Sequence, residues 1–177
     1  MLYIFAIINL ILSQSNNVYW KDRRLLKFED FKYTPVIQQE FSGLTYSKLY
    51  FDHEIFDDSI KYDIYCYFMG DSSYMCCDDT DLLAHEQGHF DISEIYSRML
   101  RKKATELIKQ NLYLDSINHY ITMSTEYNDI NGKYDLETDH GTITTENVRW
   151  KLKIDKMLDS LSAYKEPSKT IYIRKPH

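Results

Sequence analysis

Residues 81–102 read DLLAHEQGHFDISEIYSRMLRK, and the way this run winds decides the fold. Leu82, His85, His89, Ile92, Tyr96 and Met99 recur at helical spacing and form one stripe. Just upstream, Asp78, Asp79, Thr80 and Asp81 supply N-cap candidates and first-turn acids. Toward the far end lie Arg98, Arg101, Lys102 and Lys103, where the helix dipole favours cations. The run is therefore predicted to be a capped amphipathic helix. Two histidines replace apolar residues on its inward stripe.

Upstream of this helix the period changes from helical to alternating. Residues 60–69 set Ile60, Tyr62, Ile64, Cys66 and Phe68 against Lys61, Asp63, Tyr65, Tyr67 and Met69, a period of two that predicts a strand. Residues 41–54 carry β-branched and aromatic side chains and read as another strand. Gly70 to Ser73 reads as a turn and Tyr74 to Cys77 as a short returning strand, which would bring Cys66 toward Cys76 or Cys77 across a hairpin. Residues 16–35 are predicted to be irregular with a short strand. Downstream, a second helix is predicted over 114–127, ended by the turn signal Asn131-Gly132 and followed by a loop over 133–141. A last helix, opened by Thr142 or Thr144, carries the stripe Trp150, Ile154, Met157, Leu158 and Leu161. Residues 170–174 read as a terminal strand. Strands first and helices after give an α+β class: a small antiparallel sheet from the N-terminal half packed on about three helices.

The 177 residues suit one domain, and 44% apolar with 27% charged residues is a globular composition. A formal charge of −6 argues against nucleic acid or an anionic membrane surface as the main partner. The 16 tyrosines are read as filling half-buried strands and helix seams. Residues 1–15 hold no charged side chain, and the apolar run from Leu2 to Leu12 is too short to span a membrane but suits a signal-peptide core. Ser13 and Ser15 stand at the spacing a signal peptidase reads, although Lys or Arg is missing near Met1. The expectation is a signal peptide over 1–15 and a single exported domain over 16–177. No second apolar stretch is long enough to hold it in a membrane. In an exported protein one disulfide between Cys66 and Cys76 or Cys77 is expected, leaving one thiol over.

The chemistry lies in His85-Glu86-Gln87-Gly88-His89. On a helix, imidazoles four residues apart project from one face and can share a metal ion, while Glu86 can reach a water on that ion. This is the H-E-x-x-H pattern of zinc peptidases, so Zn²⁺ is the expected cofactor. A catalytic zinc takes three protein ligands and leaves a fourth position for water. The extended metzincin motif would need glycine at position 92 and histidine at position 95, and isoleucine stands at both. Glu94 is too near His89 to serve as a gluzincin ligand and points off the stripe, but it could orient a ligand, as could Asp91. His140, beside Gly141 in the loop, is the preferred third ligand. His119 and the aspartates Asp135 and Asp139 are its rivals; His53 and His177 have no supporting context. Tyr134 is a candidate donor to a developing oxyanion. Gly88, inside a helix, implies that something approaches the helix closely there.

Leu82 through Ile92, continuing through Glu94, Ile95 and Tyr96 to Arg98, Arg101 and Lys102, resembles the signature of the domain of unknown function 922 family. Tyr134-Asp135 through Thr138 to His140-Gly141, followed by Trp150, is similar to that family's second block, and Trp20, Leu26 and Asp30-Phe31 to its N-terminal motif. These are bacterial proteins described as predicted secreted zinc-dependent proteases. The resemblance implies a zincin-like active-site helix, with His85, His89 and His140 as ligands and Glu86 as catalyst. The expected function is hydrolysis of peptide bonds in a peptide or protein substrate by an exported metallopeptidase. Two alternatives are a zinc hydrolase of a non-peptide substrate and a non-catalytic binding module. In the module, a closed zinc site would take a fourth ligand such as Glu94 or His119.

Overall fold

Alternation of large apolar and polar residues winds residues 59–69 into the longest strand among the described residues, and the main sheet is arranged around it. The computed structural model describes residues 16–20, 25–36, 41–110 and 125–173. In chain order the strands are β1 (Asn17–Tyr19), β2 (Gly43–Leu44), β3 (Ser47–Ile55), β4 (Ser59–Met69), β5 (Tyr74–Met75) and β6 (Ser168–Tyr172). The helices are α1 (Thr80–Lys109), α2 (Thr125–Thr138) and α3 (Thr144–Ser160). The architecture is α+β, as the sequence predicts, with three helices on a small antiparallel sheet.

β4 is central. β3 runs antiparallel along one edge, from Ser47 opposite Phe68 to Ile55 opposite Ile60. On the other edge β1 pairs with residues 67–69 and β6 with residues 59–63, end to end. The predicted strand over 41–54 is two strands, and its first part leaves this sheet. β2 pairs with β5, Gly43 opposite Met75 and Leu44 opposite Tyr74. The segment after the 3-10 turn at Gly70–Ser72 therefore returns to β2, not to β4. That removes the predicted hairpin. Cys66 points into the core toward Glu94, while Cys76 and Cys77 are exposed, and all three are free thiols.

The inward face of β4 buries Tyr62, Ile64, Cys66 and Phe68 against α1. The opposite side of α1 buries Ile92 and Ile95 against Tyr134 of α2 and Trp150, Ile154 and Leu158 of α3. α1 is thus the middle layer, covered on both sides. From His85 onward, Glu86, Gln87, Asp91, Glu94, Arg98 and Arg101 are buried as well as the apolar stripe. Asp79 caps its start, accepting from the backbone N–H groups of Asp81 (2.8 Å) and Leu82 (3.1 Å). The helix runs on to Lys109, about two turns beyond Lys102. Among the described residues, no helix is long and apolar enough to cross a membrane.

The region between α1 and α3 departs most from expectation. Of the helix predicted over 114–127, residues 114–124, His119 among them, lie outside the described residues, as do residues 1–15 and His177. The described α2 carries Asn131-Gly132 within it rather than ending there, and most of the predicted loop over 133–141 is its last turns. The Asn131 side chain donates to the Tyr127 carbonyl one turn back (3.1 Å) instead of turning the chain. Asp139, His140 and Gly141, all at positive φ (48°, 52° and 89°), then reverse the chain into α3.

Candidate metal centre

Helical spacing puts His85 and His89 on one side of α1 and Asn131 and Asp135 on the facing side of α2. Across that seam three donor atoms converge. His89 Nε2 is 3.2 Å from His85 Nε2, and Asp135 Oδ1 is 3.2 Å from the first histidine and 2.9 Å from the second. Ligands held at about 2.0–2.1 Å around a tetrahedral ion stand roughly 3.3 Å apart. The three separations match the edges of such a tetrahedron. His85, His89 and Asp135 form a group that could hold a metal ion.

Each donor is aimed by its surroundings. His89 Nδ1 donates to Asn131 Oδ1 (2.9 Å), which leaves Nε2 facing the centre. The Asn131 amide is itself fixed, because its NH₂ is spent on the Tyr127 carbonyl. Ser93 gives its proton to the His89 carbonyl (3.1 Å), so the Tyr127 hydroxyl donates to Ser93 Oγ (2.8 Å). The His85 ring lies on Tyr134, centroids 4.6 Å apart and planes at 24°. From its other side Gly141 closes in, where a Cβ would stand 2.8 Å from His85 Cγ. Nδ1 of His85 is buried without a hydrogen-bond partner.

The charges agree with the geometry. Burial alone would push the Asp135 carboxyl up, but hydrogen bonds from His85 and His89 outweigh it and hold the group well below the usual carboxylate range. Burial of His89 disfavours its charged form, yet Asp135 and Glu86 together raise its pKa above the ordinary histidine value. Hydrogen bonds among the three side chains hold the donors together.

Glu86 is 3% exposed, lies beneath Gly43 of β2 and leaves Oε2 without a partner. Its carbonyl accepts from Thr45 Oγ1 (3.2 Å), tying the helix to the β2 segment. Glu86, His85, His89, Asp135 and His140 line one cavity of about 310 Å³, walled on its far side by Phe41 to Thr45. A buried carboxylate oxygen with no partner thus stands beside three convergent donors.

Four predicted site residues stand elsewhere. His140, preferred as third ligand, lies at the cavity rim: its ring packs on Phe41 at 4.2 Å, and Nδ1 is 3.7 Å from Asp135 Oδ1. The third donor of the group is the rival Asp135, because α2 continues past Gly132 and aims that aspartate inward. Asp139 bonds to Thr142 instead (2.8 Å). Tyr134 is not an oxyanion donor in this arrangement, since its hydroxyl donates to the His85 carbonyl (3.2 Å) and presses on Gly88, where a Cβ would collide with it. That is the close approach the helix-interior glycine implies. Glu94 does not orient a ligand; it sits in an ion pair with Arg98 and Arg101. Asp91 accepts from Trp20 Nε1 and Gln87 Nε2 (both 2.8 Å), and the Gln87 carbonyl oxygen accepts from the Leu26 N–H (2.7 Å), which fastens the N-terminal segment to α1. The residue that orients His89 is Asn131. The spacing of Tyr127, Asn131, Asp135 and Thr138 would have revealed it, had Asn-Gly not suggested a turn.

Comparisons of the chain with known protein families, curated proteins and solved structures find no match.

Proposed function

We propose that this protein is a zinc-dependent peptidase, exported from the cell that makes it. The observation that carries the reading is the tetrahedral spacing of His85 Nε2, His89 Nε2 and Asp135 Oδ1 beside the unpartnered carboxylate of Glu86. Two imidazoles and one carboxylate suit zinc and leave one tetrahedral position free. A zinc ion there supplies Lewis acidity, which lowers the pKa of water and polarises a carbonyl. Glu86 takes the proton from water and returns it to the leaving amine. Asn131 keeps His89 in the tautomer that presents Nε2, and Tyr134 and Gly141 clamp the His85 ring. An extended peptide is the substrate class that fits the cavity wall. Among the described residues β2 pairs only with β5, so its other backbone edge can take a substrate strand. The resemblance of the helix run and of the Tyr134–Gly141 block to predicted secreted zinc proteases points the same way.

One observation favours a second reading. His140 Nδ1 is near enough to Asp135, at 3.7 Å, to close the site as a fourth ligand and make it structural. Turnover of a peptide library separates the readings. Hydrolysis lost on chelation, restored by zinc and abolished in Glu86→Ala, which still binds one zinc, is the expected result. A Glu86→Ala chain that cleaves as the wild type does, or one that no longer binds zinc, would overturn the role given to Glu86. A zinc ion with four protein ligands and no turnover would make the site structural. Turnover of non-peptide esters alone would change the substrate class.

A further inference from the structure

Outside the metal centre, Cys76 and Cys77 are adjacent in sequence and exposed, with Sγ atoms 2.9 Å apart. Consecutive side chains on a regular strand point to opposite faces, which would separate the two sulfurs. Here the strand has just ended, at Met75, and the chain is turning into the cap of α1. Both thiols therefore face solvent on one side. The turn is held at both ends: the Cys76 N–H donates to the Ser42 carbonyl (2.8 Å), and the Cys77 carbonyl accepts from the Asp79 N–H (3.0 Å). The first tie belongs to the segment that walls the metal cavity, the second to the residue that caps the histidine helix.

We propose that Cys76 and Cys77 are a vicinal dithiol that closes reversibly into a disulfide by exchange with small-molecule disulfides, and that closure loosens the β2–β5 ribbon. In the first step one cysteine sulfur attacks the external disulfide, forms a mixed disulfide and expels one thiol. In the second the neighbouring cysteine attacks its partner's sulfur, forms the Cys76–Cys77 bond and expels the other thiol. Two protein thiols are oxidised and one external disulfide is reduced, and the two protons leave on the released thiols.

The second step is fast because its reactants are already in contact. Cys77 is not an activated nucleophile: its hydrogen bond with Cys76, then slight desolvation and the nearby Asp79 and Asp78, hold its thiol above the ordinary range. Proximity is what the pair contributes. Closing it brings the sulfurs from 2.9 Å to a bond of about 2.05 Å and twists the peptide between them. The two ties flank that peptide, the Cys76 N–H on the peptide before it and the Cys77 carbonyl on the one after, so turning it swings the Cys76 N–H away from the Ser42 carbonyl. Cys66, buried under the sheet, takes no part.

The dithiol chemistry is independent of whether zinc is bound, so its test stands apart from peptidase activity. The reduced full chain, treated with phenylarsine oxide, should bind one arsenical per chain. The adduct should resist excess monothiol and be released by a dithiol. Cys76→Ser and Cys77→Ser, at exposed positions, should each lower arsenical affinity more than tenfold. With oxidised glutathione the wild type should lose two hydrogens in the peptide holding both cysteines, whereas each serine variant should stop at a glutathione adduct. Amide exchange at Cys76 should speed up at least tenfold on oxidation and recover on reduction. A stable glutathione adduct on the wild type, or arsenical binding that survives either serine variant, would overturn the dithiol. Unchanged exchange at Cys76 after oxidation would overturn the coupling to β2.

Discussion

The two halves of α1 carry similar loads of buried polar groups and spend them in opposite ways. In the C-terminal half the buried charges close on one another. Glu94 receives Arg98 Nε and Arg101 Nη1, each at 2.9 Å, and Arg101 Nη2 at 3.3 Å. The remaining guanidinium protons reach the carbonyls of Ile64 in β4, Leu158 in α3, and Tyr164 and Lys165 in the turn after it. Arg101 thereby ties α1 to β4 and to the turn after α3, and Arg98 ties it to α3 itself. In the N-terminal half, His85 Nδ1 and Glu86 Oε2 are buried with no partner, and three donors converge on a cavity. Buried polar groups that satisfy one another fix a structure, whereas those left open express a capacity to bind.

The sharpest way to break this comparison is to remove one carboxylate from each half. Asp135→Ala takes away the only carboxylate of the donor group. Zinc affinity, read by competition with a chromophoric chelator, should fall by more than the roughly 10–100-fold typical of losing an outer-sphere partner. Glu94→Ala leaves two arginines facing each other in the core and should cost about 3–5 kcal/mol in denaturant unfolding. Zinc affinity of its folded fraction should stay within a few-fold of wild type. If Asp135→Ala destabilised the metal-free protein as much as Glu94→Ala, or if Glu94→Ala abolished zinc binding, the two halves would not be separable.

The open half was more legible in sequence than the closed half. H-E-x-x-H marks itself by spacing, and the caps and stripe of α1 and the alternation of β4 are local patterns that survive into the structure. Glu94, Arg98 and Arg101 stand at i, i+4 and i+7, a spacing that also suits a solvated helix face, and only the layers folded around them make them a core element. Non-local pairing hid the rest. β2 and β5 are each two residues long, too short for any pattern to announce their partner. Asn131-Gly132 has strong turn chemistry, but packing of α2 on α1 overrides it. That one misreading moved the third donor from Asp135 to His140, since a loop would have let His140 fold inward and a helix leaves it at the rim.

A smaller change refines the role of the support around the open half. Asn131→Ala removes the acceptor for His89 Nδ1 without touching a donor atom. The imidazole is then free to choose its tautomer, and zinc affinity should weaken about 10–100-fold. Asn131→Asp keeps an acceptor and should retain most of it. Equal losses in both variants would mean that Asn131 acts through packing alone.

The mildest probe is pH, applied to the metal-free protein. Asp135 has its pKa lowered by folding, so its contribution to stability is complete above the unfolded carboxylate value of about 3.9 and is lost as pH falls through the lower folded value. His89 has its pKa raised, so its contribution is complete below the unfolded value of about 6.5 and is lost as pH rises through the higher folded value. Zinc competes for the same lone pair as that proton. From about pH 6 to pH 8, therefore, the melting temperature of the metal-free protein should decline while zinc affinity rises. Asp135→Asn should flatten the melting profile, and Glu94→Gln should lower it without changing its slope. A metal-free melting profile that rose across this interval would place the titrating proton elsewhere than on the donor group.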